Sequence, residues 1–262
     1  IQNIKNINIL GGCMRRFLLF LTVVVICLGT FFFYQYRVKQ NAANTEQMFE
    51  IVMAEKMREL YDQAQDWSKP IQLNVHDDRL SGDYKLMSEF LLSYWMQNVE
   101  ARNAYLRQLK AANWDTFLDV ERLDQDRQKG YRETEKMLHD VRKISTEYGI
   151  NRQKIQADSL EQAKNLAIHN EMRKSLQEKL QNNLKTDKEH DIFPIEQQVI
   201  EKAQAMFDML KTYPWQREDN KILFKETAQV KKFNALYQDV LSLNQKMDKI
   251  KQNNVEVLDQ EL

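Results

Sequence analysis

Cysteine, proline and glycine are all scarce in this chain: 2 Cys, 3 Pro and 6 Gly in 262 residues. Both cysteines, Cys13 and Cys27, precede residue 38. Everything after them therefore uses neither disulfide nor thiol chemistry, and a Cys-rich zinc site is excluded. An all-β sandwich or barrel needs turn residues every 8–12 positions or so, and this chain does not have them. Charge of one sign is lacking too. The 38 Lys and Arg balance 38 Asp and Glu, which argues against a nucleic-acid binder with a basic face. Disorder is excluded by a hydrophobic content of 43%.

What is present is one long apolar run and a great deal of helical periodicity. Residues 17–34, FLLFLTVVVICLGTFFFY, contain no charge over 18 positions. As a helix that is about 27 Å, at the short end of the range that spans a bilayer. Arg15 and Arg16 flank one end; Tyr34, Tyr36, Arg37 and Lys39 flank the other. Aromatic rings and cations at the ends suit the two membrane interfaces. The segment 14–37 is thus expected to be an uncleaved membrane anchor, built on Phe17, Leu21, Val25, Leu28, Phe32 and Tyr34. Two other readings fit less well. A cleaved signal peptide wants small residues after a shorter apolar core, and Asn41-Ala42-Ala43 comes nearest. A lipoprotein signal would place a small residue before Cys27, where Ile26 stands. Met14-Arg15-Arg16 resembles a native start, so residues 1–13 are read as upstream sequence or a disordered extension.

The positive charges are nearly balanced across the segment, which weakens the positive-inside rule. Short N-terminal tails with two Arg usually stay in the cytoplasm. The expected topology is a single pass through a bacterial inner membrane, with the C-terminal domain in the periplasm.

Residues 38–262 form that domain. Four of the basic residues, Lys5, Arg15, Arg16 and Arg37, and none of the acidic ones precede it, which leaves it near −4. Its three Gly and three Pro predict long helices. Phe49, Val52, Met53, Met57, Leu60, Ala64 and Trp67 recur at three and four, giving a helix over 45–67. Pro70, Gly82 and the polar cluster between them mark a loop over 68–83, although Ile71, Leu73 and Val75 alternate as in an extended segment. A second helix, over 84–112, carries the most aromatic stripe. A third is expected over 114–148, with a polar interval at 124–130 that is either exposed or broken at Gly130. Tyr148-Gly149-Ile150 reads as a helix stop with Gly149 in the left-handed region. A fourth helix then runs over 152–185, making a long hairpin with a thin coiled-coil seam. After a linker over 186–194, Pro194 opens a fifth helix over 195–211. Tyr213-Pro214-Trp215 breaks it within a loop over 212–220, and a sixth helix occupies 221–253. The expected fold class is all-α: one N-terminal transmembrane helix followed by an elongated bundle or coiled-coil hairpin of about five or six amphipathic helices.

Chemistry-bearing patterns are few. None of His76, His139, His169 and His190 sits in H-E-x-x-H. Asp187 and His190 have a ligand-like spacing but stand alone, and Glu135 with His139 makes a surface pair. No Gly-rich phosphate loop or nucleophile elbow occurs. No catalytic residue, cofactor or metal is therefore expected. The aromatic residues Tyr94, Trp95, Trp114, Tyr213 and Trp215 are the candidates for a ligand pocket or a docking site, set against a plain core role. The function expected is a non-enzymatic envelope scaffold or adaptor working through helix–helix contacts, with the lipid bilayer and a protein partner or a second copy as partners and no nucleic acid. The alternative is a periplasmic ligand-binding bundle with an aromatic pocket.

Overall fold

The computed structural model describes residues 43–186 and 191–261. The membrane anchor expected over 14–37, and the extension over 1–13, lie outside the described residues. Among these residues the chain is all-helical, with seven α-helices and two short strands. The helices are α1 Ala43–Ala64, α2 Gly82–Ala111, α3 Val120–Arg127, α4 Arg132–Asn165, α5 Asn170–Thr186, α6 Phe193–Thr212 and α7 Thr227–Glu261. Strands β1 Trp215–Glu218 and β2 Lys221–Phe224 pair antiparallel between α6 and α7. A 3₁₀ turn, Trp114–Thr116, precedes α3.

The chain divides into two compact units. The strap unit holds residues 43–104, 148–186 and 251–261; the hairpin unit holds 105–147 and 191–250. Helices α2, α4 and α7 each contribute to both.

In the strap unit α1 buries one face: Phe49, Val52, Met53, Met57, Leu60 and Ala64. The 3–4 spacing of these residues is what makes α1 amphipathic. Helix α2 is different. Phe90, Leu91, Leu92, Tyr94 and Trp95 are all buried, so apolar groups cover more than one face, as in a central helix. From the C-terminal part of α4 and from α5 come Ile155, Ala163, Met172, Leu176 and Leu180.

The connection between α1 and α2 is a strap. Its apolar residues point inward alternately: Leu73 is buried and Ile71 and Val75 half-buried, while Gln72, Asn74 and His76 are exposed. The Gln63 amide pairs with the backbone of Gln72 in both directions, accepting its N–H at 2.7 Å and donating to its carbonyl at 3.1 Å. The Ile71 N–H donates to Glu100 at 2.9 Å, and His76 reaches Glu89 at 2.7 Å. The strap therefore runs antiparallel to α2. The extended stretch 71–76 and the helical stretch 89–100 each measure about 16 Å, which is why the two anchor points match.

One expected boundary is overturned. The stop at 149–151 does not occur: α4 continues through Gly149 to Asn165. Gly149 does not take positive φ, and Ile150 is 62% exposed rather than folded back. A mid-helix glycine costs only about 1 kcal/mol. Burial of Tyr148 and Ile155 on either side outweighs it. The chain reverses at 166–169 instead, in a segment with neither Gly nor Pro. Over 114–148 the break at Gly130, one of the two alternatives expected there, is the one that occurs, and the helical stretch before it begins only at Val120. Asp119 caps α3 by accepting the Arg122 N–H at 2.8 Å. The chain then breaks where Gly130 and Tyr131 take φ of 73° and 60°.

A further difference lies beyond α6. Residues 221–224 are a strand and not the start of the last helix. Trp215 pairs with Phe224 and Glu218 with Lys221 around a turn at Asp219, whose φ is 52°. The other expected helices appear with ends moved by a few residues, and Pro194 sits in the first turn of α6. In the hairpin unit α6 buries Ile195, Val199, Ile200, Ala203, Met206, Phe207 and Leu210. The buried residues of α7, Phe233, Val240 and Met247, fall seven apart, a heptad spacing.

Candidate functional site

The five candidate aromatics fall in different units. Tyr94 and Trp95 belong to the strap unit, where they are 5% and 0% exposed and part of its core. Trp114, Tyr213 and Trp215 belong to the hairpin unit. Trp114 is half-buried and rests on Phe117, ring centroids 4.7 Å apart. Tyr213 ends α6 in extended conformation.

Trp215 is the most connected of the five. Its indole N–H donates to the Tyr131 hydroxyl at 2.7 Å, and that hydroxyl donates to the Leu210 carbonyl at 3.0 Å. One phenol thus joins β1, the turn before α4 and the end of α6. The Arg127 guanidinium lies 4.3 Å from the Trp215 ring centre and also donates to the Trp215 carbonyl. That is a cation–π contact on a largely buried ring. Tyr131 in turn meets Phe207 edge-on at 5.4 Å, and Phe207 meets Phe117 at 6.1 Å. Burial pushes the Tyr131 phenol up, against the opposing pull of the Trp215 hydrogen bond and Arg127.

Beside this node sits the buried carboxylate of Asp126. It accepts the Glu133 N–H at 3.1 Å, and the Thr134 N–H and hydroxyl at 2.7 Å each. The two N–H groups are orphan donors of the first turn of α4, so Asp126 caps that helix from eight residues upstream of Thr134. Burial raises the Asp126 carboxyl, but the three hydrogen bonds and Arg122 outweigh it and leave it below the usual range. Arg122 donates to the Phe117 carbonyl at 2.6 Å and to the Thr134 hydroxyl at 3.0 Å. Every polar group of this cluster is engaged in holding backbone.

Sequence reasoning missed Tyr131, Asp126 and Arg127. Tyr131 reads as one more stripe residue, and Asp126 lies inside the polar interval 124–130. The available signal was Asp126 with Gly130 just before a strongly periodic segment, a turn followed by a helix start.

Of the histidines, His139 is exposed, and its expected partner Glu135 pairs with Lys211 instead. His76 and His169 both bond carboxylates of α2. Asp187 and His190 lie outside the described residues. Among the described residues no three His, Cys, Asp or Glu side chains come together as a metal site. An open depression of about 400 Å³ lies at the start of α5, lined by Asn170, Glu171, Arg173, Lys174 and Gln177. All five belong to that one helix.

Comparison with known proteins places the chain in no group: no family model, no curated protein and no solved structure matches it.

Proposed function

We propose that this protein is a single-pass membrane-anchored helical protein of the cell envelope. It acts as a non-enzymatic scaffold or adaptor through helix–helix contacts, with its helical domain in the periplasm. The observation that carries this reading is the uncharged run of 18 residues over 17–34, with Arg15 and Arg16 on one side and Tyr36, Arg37 and Lys39 on the other. Among the described residues no helix is long and apolar enough to cross a membrane. The adaptor part rests on how the best-formed polar cluster is used. Asp126, Arg122 and Tyr131 spend their hydrogen bonds on backbone, on the Thr134 hydroxyl and on an indole, which is architecture, not chemistry on a substrate.

The test is cross-linking in intact cells with a tag after Leu262, followed by mass identification of what is recovered. An adaptor brings down one envelope protein in near-equal amount, or a differently tagged copy of itself. Recovery of the bait alone overturns the adaptor reading.

A further inference from the structure

Two imidazoles grip the same stretch of one helix from two different connections. His76, in the strap, holds Glu89 of α2 through Nδ1 at 2.7 Å. His169, in the turn between α4 and α5, holds Asp83 of α2 through Nδ1, and its backbone N–H donates to the same carboxylate at 3.0 Å. Asp83 and Glu89 are less than two helical turns apart. Both histidines belong to the strap unit.

We propose that these two clasps form a pH-responsive latch, which holds the strap and the 166–169 turn against the start of α2 when both imidazoles are protonated and loosens both when they are neutral.

The net effect of the surrounding charged groups has the same direction at both rings. Facing His76 are Glu89 and Lys85 from α2 and Asp78 from the strap, with Asp78 at 3.0 Å and Lys85 at 3.3 Å from Nε2. The two carboxylates outweigh the lysine and raise the His76 imidazole above 6.5. Facing His169 are Asp83 from α2 and Glu171 from α5, and both raise it. Burial pushes Asp83 up, but hydrogen bonds and charge from His169 leave it lowered. A group raised on folding contributes fully below its unfolded value. That contribution fades as pH rises through the higher folded value. The latch is therefore closed below about 6.5 and opens above it, within the range where histidine is the usual titrating side chain.

The other tethers of the strap do not titrate in that window. Arg79 pairs with Glu55 and Asp77. The Gln63–Gln72 amide pair and the buried Leu73 and Leu80 are neutral. Opening is thus a local loosening, with α1 and α2 intact. Side chains of His76 and His169 are 47% and 87% exposed, so salt screens both clasps and the effect belongs to local opening.

The measurement is amide hydrogen exchange on the full chain in detergent, read by mass and corrected for intrinsic rates, from about pH 5.5 to about pH 8.5. In the parent chain, protection of 71–80 and 166–169 falls severalfold across the range, while protection of α6 stays level. His76→Gln keeps a hydrogen-bonding side chain but abolishes the fall in the strap only. His169→Gln abolishes it in the turn only. Circular dichroism equal to the parent certifies each variant as folded. Level protection in the parent overturns the latch, and so does an unchanged fall in the segment whose histidine has been replaced.

Discussion

Tyr131 holds an unusual position for one hydroxyl: it accepts from one buried partner and donates to another, at 2.7 and 3.0 Å. Removing it leaves an indole N–H and a carbonyl without their bond, and unmade buried hydrogen bonds cost more than made ones contribute. Tyr131→Phe keeps the ring and its contact with Phe207, so the change isolates the hydroxyl. We expect a loss of about 1–3 kcal/mol, seen as a lower urea midpoint at unchanged slope. A loss within error would mean that solvent replaces both bonds. Asn103 presents the reverse case. It is 0% exposed, and neither its amide nitrogen nor its amide oxygen has a hydrogen-bond partner among the described residues. The folded state carries the desolvation cost with nothing to offset it. Asn103→Leu, with the same branched outline, should therefore leave stability unchanged or raise it by about 1 kcal/mol in the same titration. A clear drop would show that the amide is satisfied in solution.

At the scale of elements, the continuity of α4 sets two glycines apart. Gly130 has φ of 73° with open space around its would-be Cβ, so Gly130→Ala meets strain and no clash. Its expected cost is about 1–2 kcal/mol. Gly149 lies inside α4 with no positive φ. Gly149→Pro removes a helix hydrogen bond and crowds the preceding turn, for about 3 kcal/mol or more. Gly149→Ala separates the two descriptions of this segment in the same titration: inside a helix it should raise stability by about 1 kcal/mol, whereas at a stop in the left-handed region it would cost about 1–2 kcal/mol. The element scale is also where the sequence is most informative and where its signals mislead. Periodicity finds α1, α2, α6 and most of α7, because α1 and α6 bury a stripe at 3–4 spacing, α7 one at a spacing of seven, and α2 is apolar on more than one face. It even catches the alternation of Ile71, Leu73 and Val75, which the strap uses against α2. It fails at Gly149, where packing of Tyr148 and Ile155 overrides a weak local stop. It fails equally at 166–169, where Leu166-Ala167-Ile168 reads as helix. That reversal is held by Asp83 from a distant helix and by Arg173, which donates to the Leu166 carbonyl at 3.2 Å. Such a turn has no local signature. The β-hairpin does have one, Asp219-Asn220 between two four-residue runs, but four-residue strands are too short for alternation to stand out. The node at Tyr131 and Trp215 is illegible for a further reason: its residues are 84 positions apart, and no spacing rule reaches that far.

At the scale of the molecule, the decisive asymmetry is between residues 14–37 and the domain that begins at residue 38. The first stretch concentrates the longest uncharged run in the chain, while the domain carries all 38 acidic residues. Each charged side chain at the centre of a bilayer costs roughly 2.5–3.5 kcal/mol on insertion scales. The amphipathic helices of the domain, studded with such charges, pack their apolar stripes inside the two units instead. Attachment to a membrane should then depend on 14–37 alone. The full chain is expected to sediment with membranes, to stay there in high salt and alkaline carbonate, and to dissolve in detergent. Deleting 14–37 should move it wholly to the soluble fraction while leaving its helical spectrum and urea midpoint in place, since among the described residues the buried cores of the two units run from Phe49 to Met247. A truncated chain that still sediments and resists salt would show that an apolar face of the domain binds lipid, and the anchor would lose its exclusive role. A full chain released by salt would show that charge, not a spanning helix, holds it at the membrane.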